Sequence, residues 1–242
     1  MIFDFHAHLM DEHMPGASFW EGLFKTVSVR SGKPADQIAT AMKTVWDRTG
    51  QKLISQMDLA GVDKCMIMPI DWGLHPAFQN AMNIWDQHLA HRALVDKYPD
   101  RIVLFACIDP RRIDANTMLD DAINHLGCVG LKIHPAAGFY PNDDLAYKLY
   151  ERCEEYKIPV MVHTGPEPNP LYSKYCQPIY MDQVAVDFPE LKIILAHAGF
   201  EAWVNEAIAV AASSSNVYLD ISGWQLMAKH CHIIFPFILF NY

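Results

Sequence analysis

The sequence predicts an α/β fold, a (β/α)8 TIM barrel, on three observations. Short apolar runs rich in β-branched residues alternate with longer segments of helical period. Seven such units fit within 242 residues. The first run opens into His-Ala-His and not into a glycine-rich phosphate loop. Steady alternation of strand and helix implies parallel strands with right-handed crossovers. A closed barrel of this kind typically takes about 250 residues, whereas an open doubly wound sheet would carry G-x-G-x-x-G after its first strand.

The predicted strands are Ile2–His6, Lys64–Ile70, Ile102–Ile108, Val129–His134, Pro159–His163, Lys192–His197 and Val217–Ile221. Between them, Gln51–Leu59, Ala77–Lys97, Ala115–Leu126, Asp144–Tyr156, Ile179–Phe188 and Glu201–Ala212 place apolar residues three and four apart, as an amphipathic helix requires. Residues 10–50 form a long insertion after the first strand. It is punctuated by Pro15, Gly16, Gly32 and Pro34, with a helix predicted over Ala35–Asp47. On a barrel such an insertion lies on the catalytic face, where long loops serve as lids. The barrel domain is read as residues 1–224. Residues 225–242 form an atypical apolar tail with no Asp or Glu from Leu226 onward. An eighth strand would have to come from Ile233–Phe240, and Pro236 argues against a central strand there. The barrel is therefore expected to be incomplete at strand 8, and the tail offers a surface on which two copies could pair as a homodimer.

Composition narrows the function classes. A hydrophobic fraction of 51% with 19% charged residues supports a buried core and excludes disorder as the main state. Lys plus Arg is 19 and Asp plus Glu 28, a net charge of −9, which argues against nucleic acid as a partner. The opening MIFDFHAHLM has no basic region ahead of an apolar stretch, and no run of 18 apolar residues exists, so neither a secretory signal nor a transmembrane partner is expected. Six cysteines without a C-x-x-C pair read as reduced thiols, which fits a cytoplasmic protein.

Histidine carries the chemistry. Four predicted strands end in one: His6-Ala7-His8, His134-Pro135, His163-Thr164-Gly165 and His197-Ala198-Gly199. The seventh carries Asp220 ahead of Ser222-Gly223. Active sites of α/β barrels lie at the C-terminal ends of the strands. Residues i and i+2 of a strand face the same way, so His6 and His8 point together. Two imidazoles on one buried face need a shared partner, and a cation is the simplest. The fifth strand lies across the barrel axis from the first, which brings His163 towards the same ion, with His197 beside it. His13, His75, His88, His91, His125, His230 and His232 lack this placement and read as loop, helix-surface or tail residues. Lys132 and His134 share parity, so both can face the interior. Lys132 is either a cation that holds a substrate carboxylate or an interior lysine paired with an acid. Arg111 and Arg112 read as a solvated pair. Phe19, Trp20 and Trp72 either line a pocket or pack a lid.

The set FDFHAH, GLKIHP, PVMVHTG, ILAHAG and NVYLDISG resembles the amidohydrolase superfamily. Within it, the chain is most similar to the amidohydrolase-related group that includes aminocarboxymuconate-semialdehyde decarboxylase and related decarboxylases, hydratases and hydrolases. The resemblance spans residues 1 to about 224. It implies a barrel of the metal-dependent hydrolase type binding one divalent metal ion, with zinc expected. His6, His8 and His163 would be the metal ligands. His197 would be the catalytic histidine, acting on substrate or water. Lys132, His134 and Asp220 are the expected substrate-binding residues. The implied reaction is hydrolysis or decarboxylation of a small, carboxylate-bearing molecule. The family also carries an Asp at the end of strand 8, and no matching motif follows Gly223. Either Asp220 substitutes for it or the chain is a truncated, catalytically impaired metal-binding barrel. A TatD-like phosphoesterase or nuclease also begins with H-x-H, but it has a Glu on strand 4 where this chain has Lys132 and His134.

Overall fold

The structure, a computed structural model, describes residues 1–224 apart from 12, 45, 79 and 80. Its strands are β1 (Phe3–Ala7), β2 (Lys64–Ile67), β3 (Ile102–Leu104), β4 (Ala106–Cys107), β5 (Leu131–Ile133), β6 (Val160–His163), β7 (Ile193–Ala196) and β8 (Val217–Leu219). Every pairing is parallel, in the orders β1-β2-β3 and β4-β5-β6-β7-β8. The predicted third strand, Ile102–Ile108, is one stave that changes partner at Phe105. The Phe105 amide donates to Ile67 O at 3.0 Å, and the Ala106 amide to Gly130 O at 2.9 Å. Seven staves therefore run continuously from β1 to β8 in a (β/α) barrel. Among the described residues no ladder joins β8 back to β1. Ile2, Phe3, Tyr218, Leu219 and Ile221, on or beside the two strands bordering that seam, stay exposed. The expected eighth strand, Ile233–Phe240, and the rest of the tail lie outside the described residues.

Eight helices are described: α1 (Ala17–Ser31), α2 (Ala35–Lys43), α3 (Gln51–Ala60), α4 (Ile84–Lys97), α5 (Ala115–Leu126), α6 (Asp144–Tyr156), α7 (Tyr180–Asp187) and α8 (Phe200–Ser213). Helix α1 was not anticipated. Phe19, Trp20, Leu23 and Phe24 give it one apolar face, and Gly32, with φ 69°, closes it by donating its amide hydrogen to Ser28 O. Helix α2 stops at Lys43, short of the predicted Asp47. The segment predicted as Ala77–Lys97 divides into a 3-10 turn, Pro76–Phe78, and α4, which Asn83 caps by accepting from the Trp85 amide at 2.8 Å. Such a cap contributes about 1 kcal/mol.

Strand alternation splits the core in two. Cys65, Ile67, Leu104, Leu131, Ile133, Val160, Val162, Ile193 and Leu195 face the helices. Met66, Met68, Phe105, Met161, Ile194 and Ala196 fill the barrel interior. Lys132 is in register with Met161, so it too faces inward, and His163 shares the parity of Met161. On β1 the register shifts between Asp4 and Ala7. That irregularity lets consecutive residues both reach inward, with Phe5 on the interior cluster and His6 at the mouth. The lid is anchored by one close approach. A Cβ added to Gly22 of α1 would lie 2.0 Å from Asn169 O, in the loop after β6.

Candidate metal centre

The strand-end side chains meet at the C-terminal mouth of the barrel. His6 Nδ1 lies 2.7 Å from Asp220 Oδ2, across the seam between β1 and β8, and 2.8 Å from Ser222 Oγ. His8 Nδ1 donates to Met68 O at 3.0 Å. A carboxylate and a carbonyl can only accept, so both Nδ1 atoms carry the hydrogen and both Nε2 atoms keep a lone pair. Those two Nε2 atoms face one another at 3.0 Å. Lys132 Nζ, 3.3 Å from His6 Nε2, is the adjacent donor. Burial, reinforced by Lys132, lowers the His6 imidazole to about 4. Burial and the neighbouring His6 hold His8 well below its ordinary value. Both rings are neutral at pH 7 and available as ligands. Burial would raise Asp220, but its hydrogen bonds from His6 and Ser222 and the nearby Lys132 outweigh that and keep it ionised.

His197 joins the same group. Its nitrogen, that of His6 and an oxygen of Asp220 lie within 4.8 Å of one another. His197 Nδ1 donates to Ser222 O at 2.8 Å, which frees Nε2. Burial, then Lys132 and His6, lowers its pKa to about 3. The turn that carries it is strained. His197, Ala198, Gly199 and Phe200 have φ of 63°, 45°, 73° and 47°, and each non-glycine residue there costs about 1–2 kcal/mol. Neighbouring groups over-determine the turn. Thr164 Oγ1 donates to Ala196 O at 2.7 Å and accepts from the Gly199 amide at 3.0 Å. Trp224 Nε1 donates to His197 O at 2.8 Å, and Phe200 stacks on the His197 ring at 4.7 Å.

The other half of the mouth holds His134, His163 and Glu167. The two imidazoles stack at 4.2 Å and 17°. His163 Nε2 lies 3.0 Å, and His134 Nε2 3.3 Å, from Glu167 Oε1. His163 Nε2 and His134 Nδ1 are buried without a hydrogen bond. Burial, then His134 and His197, holds His163 well below its ordinary pKa, and burial also lowers His134 despite Glu167. The expected ligands thus fall into two groups. His6 and His8 converge directly, whereas His163 stands with His134 and Glu167, linked to His6 through His197 by ring contacts of 4.8 and 4.9 Å.

Glu167 and Ser222 were not picked out by the sequence reading. The one available signal for Glu167 was an acid four residues after His163, flanked by Pro166 and Pro168. Lys132 is 1% exposed, and burial pushes its ammonium down to about 8.

Several expectations are corrected. Arg111 and Arg112 are not a solvated pair. Arg112 Nε and Nη2 donate to Asp71 at 2.6 Å each, while Arg111 grips Asp109 and donates to the carbonyls of Ala137 and Gly138 just past His134. His75, His88 and His91 are buried and not on the surface. His88 and His91 pack inside α4 because each Nδ1 donates to the carbonyl four residues back, at 2.8 Å. Phe19, Trp20 and Trp72 form a packed aromatic lid, with ring contacts of 4.7–5.3 Å reaching Trp46 and Phe78. Trp72 also lies edge-on against His134 at 5.1 Å. The five described cysteines are free and buried, as expected.

The chain belongs to the amidohydrolase family, whose profile matches residues 3–231. Similar solved structures include an uncharacterized TIM-barrel protein from Bordetella bronchiseptica, at 22% identity and a TM-score of 0.64, covering 91% of this chain and 74% of that one. The 5-carboxyvanillate decarboxylase from Sphingomonas paucimobilis matches at 17% identity and a TM-score of 0.63, covering 92% and 81%. That from Novosphingobium aromaticivorans, with bound manganese and 3-methoxy-4-hydroxy-5-nitrobenzoic acid, matches at 15% and 0.59, covering 82% and 66%. At these identities the likeness is one of fold, and it establishes the barrel. No curated protein matches the chain. No described helix is long and apolar enough to cross a membrane.

Proposed function

We propose that this chain is a metal-dependent carbon–carbon lyase or hydrolase acting on a small carboxylate-bearing substrate. The observation that carries this reading is the pair of unprotonated nitrogens, His6 Nε2 and His8 Nε2, facing at 3.0 Å, where Lys132 Nζ, 3.3 Å from His6 Nε2, supplies a donor to His6 alone. Two lone pairs repel at that distance, and the Lys132 ammonium answers that of His6 but not that of His8, which an ion between the two would satisfy. The donor set therefore fits a divalent ion, and imidazole donors suit zinc, with manganese, as in one similar decarboxylase, the main competitor. His6 and His8 would hold the ion, with His163 the expected third ligand. When bound, the ion would supply positive charge that polarises a substrate oxygen.

The chain's own residues do the remaining work. Asp220 accepts from His6 Nδ1 and so fixes the tautomer that leaves Nε2 free. His197, locked by Ser222 O on one side, exchanges a proton through Nε2. Lys132 is a buried cation within reach of the same centre and pairs with the substrate carboxylate. The decarboxylases among the similar structures support a carboxy-lyase over a hydrolase.

The test is a turnover screen of the zinc- and manganese-loaded chain on aromatic and unsaturated carboxylic acids, followed by release of carbon dioxide, with amide, ester and phosphodiester substrates alongside. Turnover of a carboxylic acid that His197→Asn abolishes is the expected result. A folded, metal-loaded chain inert on every substrate would favour the second reading, a metal-binding barrel. That reading is favoured by the absence of any Asp or Glu after Leu226.

A further inference from the structure

We infer that Phe200 is a positioning residue for His197: its ring is the plate that fixes the plane of the imidazole and, with it, the direction of Nε2. The two rings stack at 4.7 Å and 13°. Phe200 holds this place against its own backbone. Its φ of 47° and ψ of −165° lie at the edge of the extended, positive-φ region that essentially only glycine occupies without strain. Packing does not explain why a phenylalanine stands there. Among the described residues it joins neither the helix-facing core nor the interior cluster. Its ring partners are His197 and, at 6.4 Å, Trp224, whose Nε1 donates to His197 O. A strained residue that serves no core and lies flat on the proposed proton carrier is held for what it does to that carrier.

Two glycines form the slot for the ring. A Cβ added to Gly165 would lie 2.6 Å from Phe200 Cδ2, and one added to Gly223 would lie 3.1 Å from both Cε1 and Cζ. Gly165 follows β6 and Gly223 follows β8, so the ring is gripped from the staves on either side of β7, whose end carries His197. Hydrogen bonds alone do not set the imidazole plane. His197 Nδ1 donates to Ser222 O at 2.8 Å and lies 3.0 Å from Ser222 Oγ. Those contacts fix one atom and leave the ring to tilt about it, whereas a flat ring against its face removes the tilt. The His6 and His163 rings lie 4.9 and 4.8 Å away, so a tilt would move Nε2 relative to both. Only the consequence for turnover rests on the proposed proton exchange at His197; the orientation is read without substrate.

The test is nitrogen-15 NMR of the full chain labelled at histidine, with and without zinc chloride. His197 is assigned from the signals that His197→Asn removes, and folding is checked by circular dichroism. In the native chain the Nδ1 and Nε2 signals of His197 should stand apart, as one fixed tautomer requires. In Phe200→Gly, whose backbone suits the turn, exchange between tautomers should draw them together, and Phe200→Tyr should keep them apart. Gly165→Ala leaves Phe200 in the chain but displaces its ring. It should act as Phe200→Gly does and add nothing further in the double variant. On an acid that the turnover screen identifies, Phe200→Gly should lower kcat by about 10- to 100-fold and change KM by less than about threefold. Altered signals with unchanged turnover uphold the positioning and count against the proposed proton exchange. Signals already merged in the native chain, unchanged in Phe200→Gly, or merged in Phe200→Tyr as well overturn the role given to Phe200.

Discussion

The histidines of helix α4 and those at the strand ends are buried alike, and burial drives both sets of pKa values down. His88 and His91 fall to about 4, as His6 does. What differs is where the second nitrogen points. On α4, Nδ1 of each ring closes on the preceding turn, and His88 Nε2 accepts the Cys107 amide at 3.0 Å. His88 splices the helix to the β4 stave, while His91 Nε2 is buried without a partner. At the strand ends, Nδ1 is likewise used to hold the ring, but the free nitrogens of His6 and His8 converge on each other. Convergence of unspent lone pairs, and not burial or a depressed pKa, separates a binding centre from internal mortar.

That contrast can be broken by substitution. His8→Ala should lower zinc affinity by about a thousandfold, since ligand loss removes a direct bond. The stability of the metal-free chain should move far less, by about 1 kcal/mol in urea denaturation. His88→Leu should do the reverse. It strands the buried Cys107 amide and should cost about 2–3 kcal/mol in urea denaturation with unchanged zinc stoichiometry.

Acid sharpens the same comparison. The folded pKa of His91 is about 4 against an ordinary 6.5, so the unfolded chain takes up the proton first as pH falls. Stability is undiminished above about 6.5 and lost between there and about 4. By pH 5 the loss from His91 alone should be about 2 kcal/mol. His91→Leu, unfolded in urea at pH 7 and pH 5 with chelator present, should show a correspondingly smaller drop than the native chain. An equal drop in both would remove the assignment. The smallest effect should come from Asp220→Asn. With Nδ1 of His6 less firmly held, zinc affinity should fall by about tenfold without loss of stoichiometry, read by competition with a fluorescent chelator.

Much of this centre is legible in the sequence because a barrel turns strand endings into neighbours. His6, His8, His163 and His197 could be placed at one mouth because each ends or directly follows a strand, although the β1 register shift and the turn after β7, not parity, bring His6 and His197 inward. Glu167 could not, since it lies on a loop whose path depends on Ser173 and the surrounding packing, which no period encodes. The burial of His88 and His91 was hidden for a different reason. Histidine blurs an amphipathic pattern, and only the hydrogen bonds to Ile84 O and Gln87 O show that it can sit inside. Arg112 was misread because its partner Asp71 is 41 residues away in the chain. Among the described residues the seam falls between β8 and β1, where Tyr218 and Phe3 are exposed, and the tail whose composition raised the question of closure lies outside them.

The contact between Gly22 and Asn169 O makes the entrance and the carboxylate one mechanical unit. A single methyl at position 22 would act as a wedge, prising the 166–170 loop and with it Glu167, two residues from Asn169. The first helix of the lid and the His134–His163–Glu167 cluster therefore share one anchor, so a change at position 22 is felt at the mouth of the barrel.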